Sequence, residues 1–170
     1  MPSDYFATLA RYNAWANRCL YRACERLSEG EYLRERFSAP RSLHATLNHV
    51  LLADRIWIAR IEGRSLPNLD RDQILYADLI GLKVARSAED EHLRNLVAGI
   101  SEAMLDQPLV YRNARGDRRE TALRLVLGHM FNAQAHYRGE ASVLLAQTAV
   151  SPPLFDLIRF VREEGRAAAC

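Results

Sequence analysis

The sequence predicts an all-α domain, a bundle of four long helices with a short fifth at the C-terminal end. Three observations predict it. Apolar residues recur at alternating steps of three and four over long stretches, the period of a helix that buries one face. The 8 glycines and 6 prolines are few and fall mainly as punctuation between those stretches. The 170 residues are 49% apolar and 26% charged, the composition of one globular domain spanning 1–170. A chain of that size buries roughly 70% of its unfolded surface on folding, and its apolar share is large enough to exclude intrinsic disorder.

The first helix is expected from about Asp4 to Leu27, with Phe6, Leu9, Asn13, Ala16, Leu20, Ala23 and Leu27 forming its stripe. After Pro40, Ser42 is placed to cap the second helix, whose stripe is Leu43, Leu47, Val50, Asp54, Trp57 and Ile61. Gly63 is placed to end it. A loop with Pro67 leads to a third helix, expected from about Asp70 to Ile100, with Leu75, Leu79, Leu82, Leu93, Leu96 and Ile100 toward the core. Gly81 marks its start or a bend. Leu109-Val110-Tyr111 and the turn-forming run Arg112 to Arg118, which holds Gly116, read as a small hairpin-like insertion near 108–119. The fourth helix covers about Thr121 to Gln147, and Pro152-Pro153 opens a short last one through about Glu164. Asn13 and Asp54, polar at seam positions, either line a pocket or fix helix register, while Trp15 and Trp57 read as core.

Lysine plus arginine number 23 against 21 acidic residues, a formal charge of +2, which is not the basic excess of a nucleic-acid binder. No run approaches 18 consecutive apolar residues, so no membrane partner is expected. The start, Met-Pro-Ser-Asp-Tyr-Phe, lacks the basic and apolar regions of a signal peptide. Cys19, Cys24 and Cys170 show no CxxC spacing and no disulfide framework. Cys19 and Cys24 read as small apolar residues in a reducing cytosol, which gives a cytoplasmic protein.

Chemistry is expected on the fourth helix. At about 100° per residue, His129, Ala133, His136, Tyr137 and Glu140 fall within roughly 100° of arc. Such a face builds a metal site if a facing helix adds a ligand, and His and Glu suit zinc, nickel, iron or manganese. It equally builds an interior hydrogen-bond network or a groove wall. Only His136 and Glu140 have the i,i+4 spacing of side chains that meet over one turn. His129 precedes His136 by about 10 Å along the axis. His92, among Glu89, Asp90, Glu91 and Arg94, reads as part of a solvated face, and His44 as a bystander.

Three blocks resemble the DinB/YfiT-like family. They are Arg11-Tyr12-Asn13-Ala14-Trp15-Ala16-Asn17; Ser42 to His49 followed by Ala53-Asp54-Arg55-Ile56-Trp57; and His129 through Glu140. Their order and spacing cover nearly the whole chain. The resemblance implies an up-down-down-up four-helix bundle, often a homodimer. It also implies metal-dependent activity in many members, low-molecular-weight thiol transferases and a thiol-dependent isomerase among them. The family's metal is held by three histidines. The first matches His49. The other two belong to a stretch resembling Asn-His-x-x-His-His-Arg-Gly-Gln, whose ligand positions fall, through Asn132 and Arg138-Gly139, on Ala133 and Tyr137. His136 matches the intervening histidine, and Glu140 stands in place of Gln.

Alanine offers no donor atom and a neutral phenol is a poor ligand for a divalent ion, whereas zinc sites use at least three protein ligands. Three readings follow. In one, a degenerate metal site leaves a small-molecule pocket or vestigial enzyme, lined by His129 and Tyr137. In another, a shifted site of His49 (or His129), His136 and Glu140 holds a divalent metal and runs a hydrolase or thiol transferase. In the last, the chain is a non-catalytic homodimeric scaffold.

Overall fold

Periodicity, caps and turns set the elements of the computed structural model, which describes residues 3–37, 42–64, 70 and 72–163. In chain order they are α1 (Ser3–Cys24), α2 (Glu29–Leu33), α3 (Leu43–Ile61), α4 (Leu79–Ala98), α5 (Glu102–Leu105), β1 (Pro108–Arg112), β2 (Arg118–Ala122), α6 (Leu123–Leu145) and α7 (Leu157–Glu163). The four long helices are the four expected. No helix among the described residues is long and apolar enough to cross a membrane.

Ser42 caps α3 as its position predicts, its hydroxyl accepting from the Ala45 amide at 3.1 Å. Gly63 ends the helix at φ 66°, in the left-handed region that favours glycine. Its amide donates to the Arg60 carbonyl and the Arg64 amide to the Ala59 carbonyl, a Schellman closure. Gly116, at φ 84°, plays the matching part in the hairpin, where Asn113 Oδ1 accepts from the Arg115 and Asp117 amides. Strands β1 and β2 pair antiparallel from Pro108 opposite Ala122 to Arg112 opposite Arg118.

Contacts between helices fix their directions. Asn48 on α3 meets Tyr76 just before α4, Arg55 meets Glu89, and Glu62 meets His92, so α3 and α4 run parallel. Glu25 meets Lys83 and Asn17 meets Asp90, so α1 opposes α4. His49 meets Tyr137 and Trp57 meets His129, so α3 opposes α6. Phe6 stacks on Phe131 and Asn13 bonds Arg138, so α1 and α6 are parallel. The topology is up-down-down-up, with α1 packed between α4 and α6, and α3 diagonal to it.

One end of the bundle is filled by Leu20, Tyr21, Leu43, Leu47, Leu82 and Leu144, the other by Phe6, Ile58, Leu93, Leu127 and Met130. Between these two apolar layers lie Asn13, Asn17, Asp54, Arg86, Asp90, Gln134 and Arg138, all buried.

Several expectations are corrected. The third long helix starts at Leu79, not near Asp70, because the Asp78 carboxylate caps it by accepting from the Gly81 amide at 2.7 Å. The segment before it is held extended by Asn48, whose Oδ1 accepts from the Leu75 and Tyr76 amides at 2.9 Å each. The last helix begins at Leu157 rather than at the Pro152-Pro153 pair, with Asp156 accepting from the Arg159 amide. Short α2 and α5, capped by Ser28 and Ser101, were not expected. Glu89 and Asp90 are buried, so the His92 segment is not wholly a solvated face. His92 itself clamps α4 to the end of α3, with Nε2 2.6 Å from Glu62 and Nδ1 3.5 Å from Glu89. Cys19 is disulfide-bonded, against the expectation of an apolar thiol, while Cys24 is a buried free thiol as expected. The readings of Pro40, Pro67, Glu164 and Cys170 lie outside the described residues.

Candidate functional site

Antiparallel packing of α3 on α6 places one residue every helical turn of each opposite a partner on the other. At one level His49 meets Tyr137: imidazole Nε2 and the phenol oxygen are 2.8 Å apart and the ring centroids 4.7 Å. Toward the opposite end Trp57 meets His129, ring centroids 5.2 Å apart, and also packs edge-on against Tyr111 of β1 at 5.1 Å. The Arg60 guanidinium covers the Trp57 ring at 4.5 Å, within cation–π range. Half-buried Ala53 and Ala133 occupy the intervening turns of the two helices. His49 and Tyr137 are themselves half-buried, so the pair can be reached from outside while keeping a fixed geometry.

His136 and Glu140 meet over one turn as their spacing predicts, with Nε2 3.0 Å from Oε1, and the His136 ring lies against Tyr137 at 5.1 Å. The other carboxylate oxygen of Glu140 is buried without a hydrogen-bond partner among the described residues. His129 is drawn to Trp57, not to His136. His49 and the His136–Glu140 pair are therefore two separate contacts flanking Tyr137. Among the described residues no three His, Cys, Asp or Glu side chains group as a cation would require. Ala133 supplies no donor, and Tyr137 engages the nitrogen that His49 would offer a metal. These residues do not fit a three-imidazole metal centre. His44, the expected bystander, faces the Tyr32 hydroxyl at 3.3 Å, and burial lowers its pKa.

Behind the pair lies a closed polar ring that passes through all four long helices. Arg86 Nη1 is 2.7 Å from Asp54 Oδ2, and its Nη2 is 3.0 Å from Asp90 Oδ1. Asn17 and Asn13 donate to the same Asp90 oxygen at 3.0 and 3.4 Å. Arg138 Nη1 donates to Asn13, Asn17 and Gln134, and the Gln134 amide returns to Asp54. Burial pushes the Asp54 carboxyl up to about 6 against the opposing pull of Arg86, and raises Asp90 in the same way. Burial alone would lower Arg86, but Asp90 and Asp54 hold it above its usual value. Seam positions pointed to Asn13 and Asp54. Nothing in the spacing singled out Arg86 or Asp90, which sit in a charge-rich stretch that reads as solvent-facing.

The profile of the DinB family matches residues 1–167. The chain belongs to the DinB family. It is also similar to Protein DinB of Bacillus subtilis (strain 168), 26% identical over 176 residues that take in 97% of this chain and 99% of that protein. In this DinB chain His49 of α3 faces α6, where positions 133 and 137 carry a methyl group and a phenol.

Proposed function

We propose that the protein is a metal-independent DinB member that binds a small organic molecule between α3 and α6, at the His49–Tyr137 pair. The observation that carries this reading is the 2.8 Å contact between His49 Nε2 and the Tyr137 oxygen, at positions where the family resemblance implies metal ligands. With Nε2 unprotonated the phenol donates to it, and with Nε2 protonated the ring donates to the phenol oxygen. A bound molecule with a polar group beside that oxygen would meet either a hydrogen-bond donor or an acceptor at one atom. The Trp57, Tyr111 and His129 rings supply apolar surface toward the opposite end of the same helix pair. The homodimeric state belongs to the same reading, and sedimentation of the purified chain tests it.

The test combines metal analysis with ligand screening. Protein purified without a metal-affinity tag should contain no stoichiometric zinc, nickel, iron or manganese, and adding these ions should leave its Tm unchanged. Ala133→His combined with Tyr137→His should then bind one divalent ion per chain. In a thermal-shift screen of small thiols and other metabolites, any stabilising compound should lose its effect in His49→Ala, because ligands that bind the native state raise its stability. Stoichiometric metal in the wild type, removed by His136→Ala, would overturn the reading in favour of the His49, His136, Glu140 set.

A further inference from the structure

The polar ring does not satisfy all of its own members. Beside it is a cavity of about 10 Å³ lined by Asn17 and Tyr21 of α1, Val50 of α3, Arg86 of α4, and Tyr137 and Arg138 of α6. Three of these side chains carry a polar atom without a hydrogen-bond partner among the described residues, the Tyr21 hydroxyl, Arg86 Nε (its Nη2 has only the ion pair to Asp90) and Arg138 Nε, and the three residues are 2%, 3% and 4% exposed. Buried donors left unpaired are rare in folded proteins, and an internal water is the usual partner where the space admits one. The volume matches a single water and nothing larger.

We propose that this cavity is a binding site for one ordered water molecule, which accepts from Arg86 Nε–H and donates to the Tyr21 oxygen. Charge favours a neutral occupant: the two guanidiniums of the ring, Arg86 and Arg138, are matched by the carboxylates of Asp54 and Asp90, so no net positive charge draws in an anion. The site links α1 to α4 at a level where no direct side-chain bond joins Tyr21 and Arg86. It also has a defined wall. Tyr137 lines the cavity while its hydroxyl bonds His49, so the ring stands between the internal water and the outer face of the α3–α6 pair. This inference does not depend on what the outer face binds.

A crystal structure of the full chain, at a resolution that shows individual waters, should contain one peak within about 2.7–3.2 Å of both Arg86 Nε and the Tyr21 oxygen. The same crystals soaked in bromide should give no anomalous signal there. An empty map at that point, or a bromide peak, overturns the proposal. In solution, oxygen-17 relaxation dispersion should count one fewer long-lived water in Tyr137→Ala than in the wild type, since removing the wall opens the cavity to exchange. An unchanged count, in a variant whose circular dichroism shows the bundle intact, overturns the placement behind Tyr137.

Discussion

Tyr137 makes one side-chain hydrogen bond among the described residues, to His49, and the cost of losing it is modest. Tyr137→Phe keeps the ring that lines the cavity and removes only the hydroxyl facing His49. It should lower stability by about 1 kcal/mol, the net worth of one hydrogen bond, as read from urea melts. Asp54 makes a different prediction because its carboxyl titrates. Its pKa is raised from 3.8 to about 6 by burial, so between these values the folded protein binds more protons than the unfolded chain. The Asp54 contribution is therefore fully present below pH ~4 and is lost as pH rises through about 6. Across that window the stability of the wild type relative to Asp54→Asn should fall with rising pH, by at most about 1.4 kcal/mol per unit. A flat difference would show that Arg86 keeps the carboxylate ionised throughout.

At the scale of the element, local signals governed what could be read in advance. The stripe, the Ser42 cap and Gly63 together located α3, since each acts within one turn of the residue that carries it. Gly63→Ala should destabilise the protein by about 1 kcal/mol in thermal melts, because alanine is strained at φ 66°. The start of α4 was not legible, for a physical reason. Leu75 fits a helical stripe, but the Asn48 side chain, 27 residues away in sequence, takes its amide and also that of Tyr76. A contact at that separation leaves no local trace. The same holds for the site: the His136–Glu140 pair was legible because it is local, whereas the approach of Tyr137 to His49 depends on how two helices dock.

For the whole molecule, the buried ring is the feature that no local signal announced beyond the polar seam residues Asn13 and Asp54. Its parts lie on four helices and acquire meaning only when these assemble. Removing a single charge should therefore be severe. Arg86→Leu leaves Asp54 and Asp90 buried without their shared cation and should cost about 3–5 kcal/mol in denaturant unfolding. Replacing Arg86, Asp54 and Asp90 together with apolar residues of similar volume should cost much less, since burying matched charges is itself expensive. The helix order also has a kinetic consequence. During synthesis α1 emerges first, yet its neighbours are α4 and α6, and α3, the next long helix to follow, lies across the bundle from it. Until α4 has left the ribosome, the apolar stripe of α1 has no adjacent helix against which to shelter, so the first half of this chain is the part most exposed to chaperones and to aggregation.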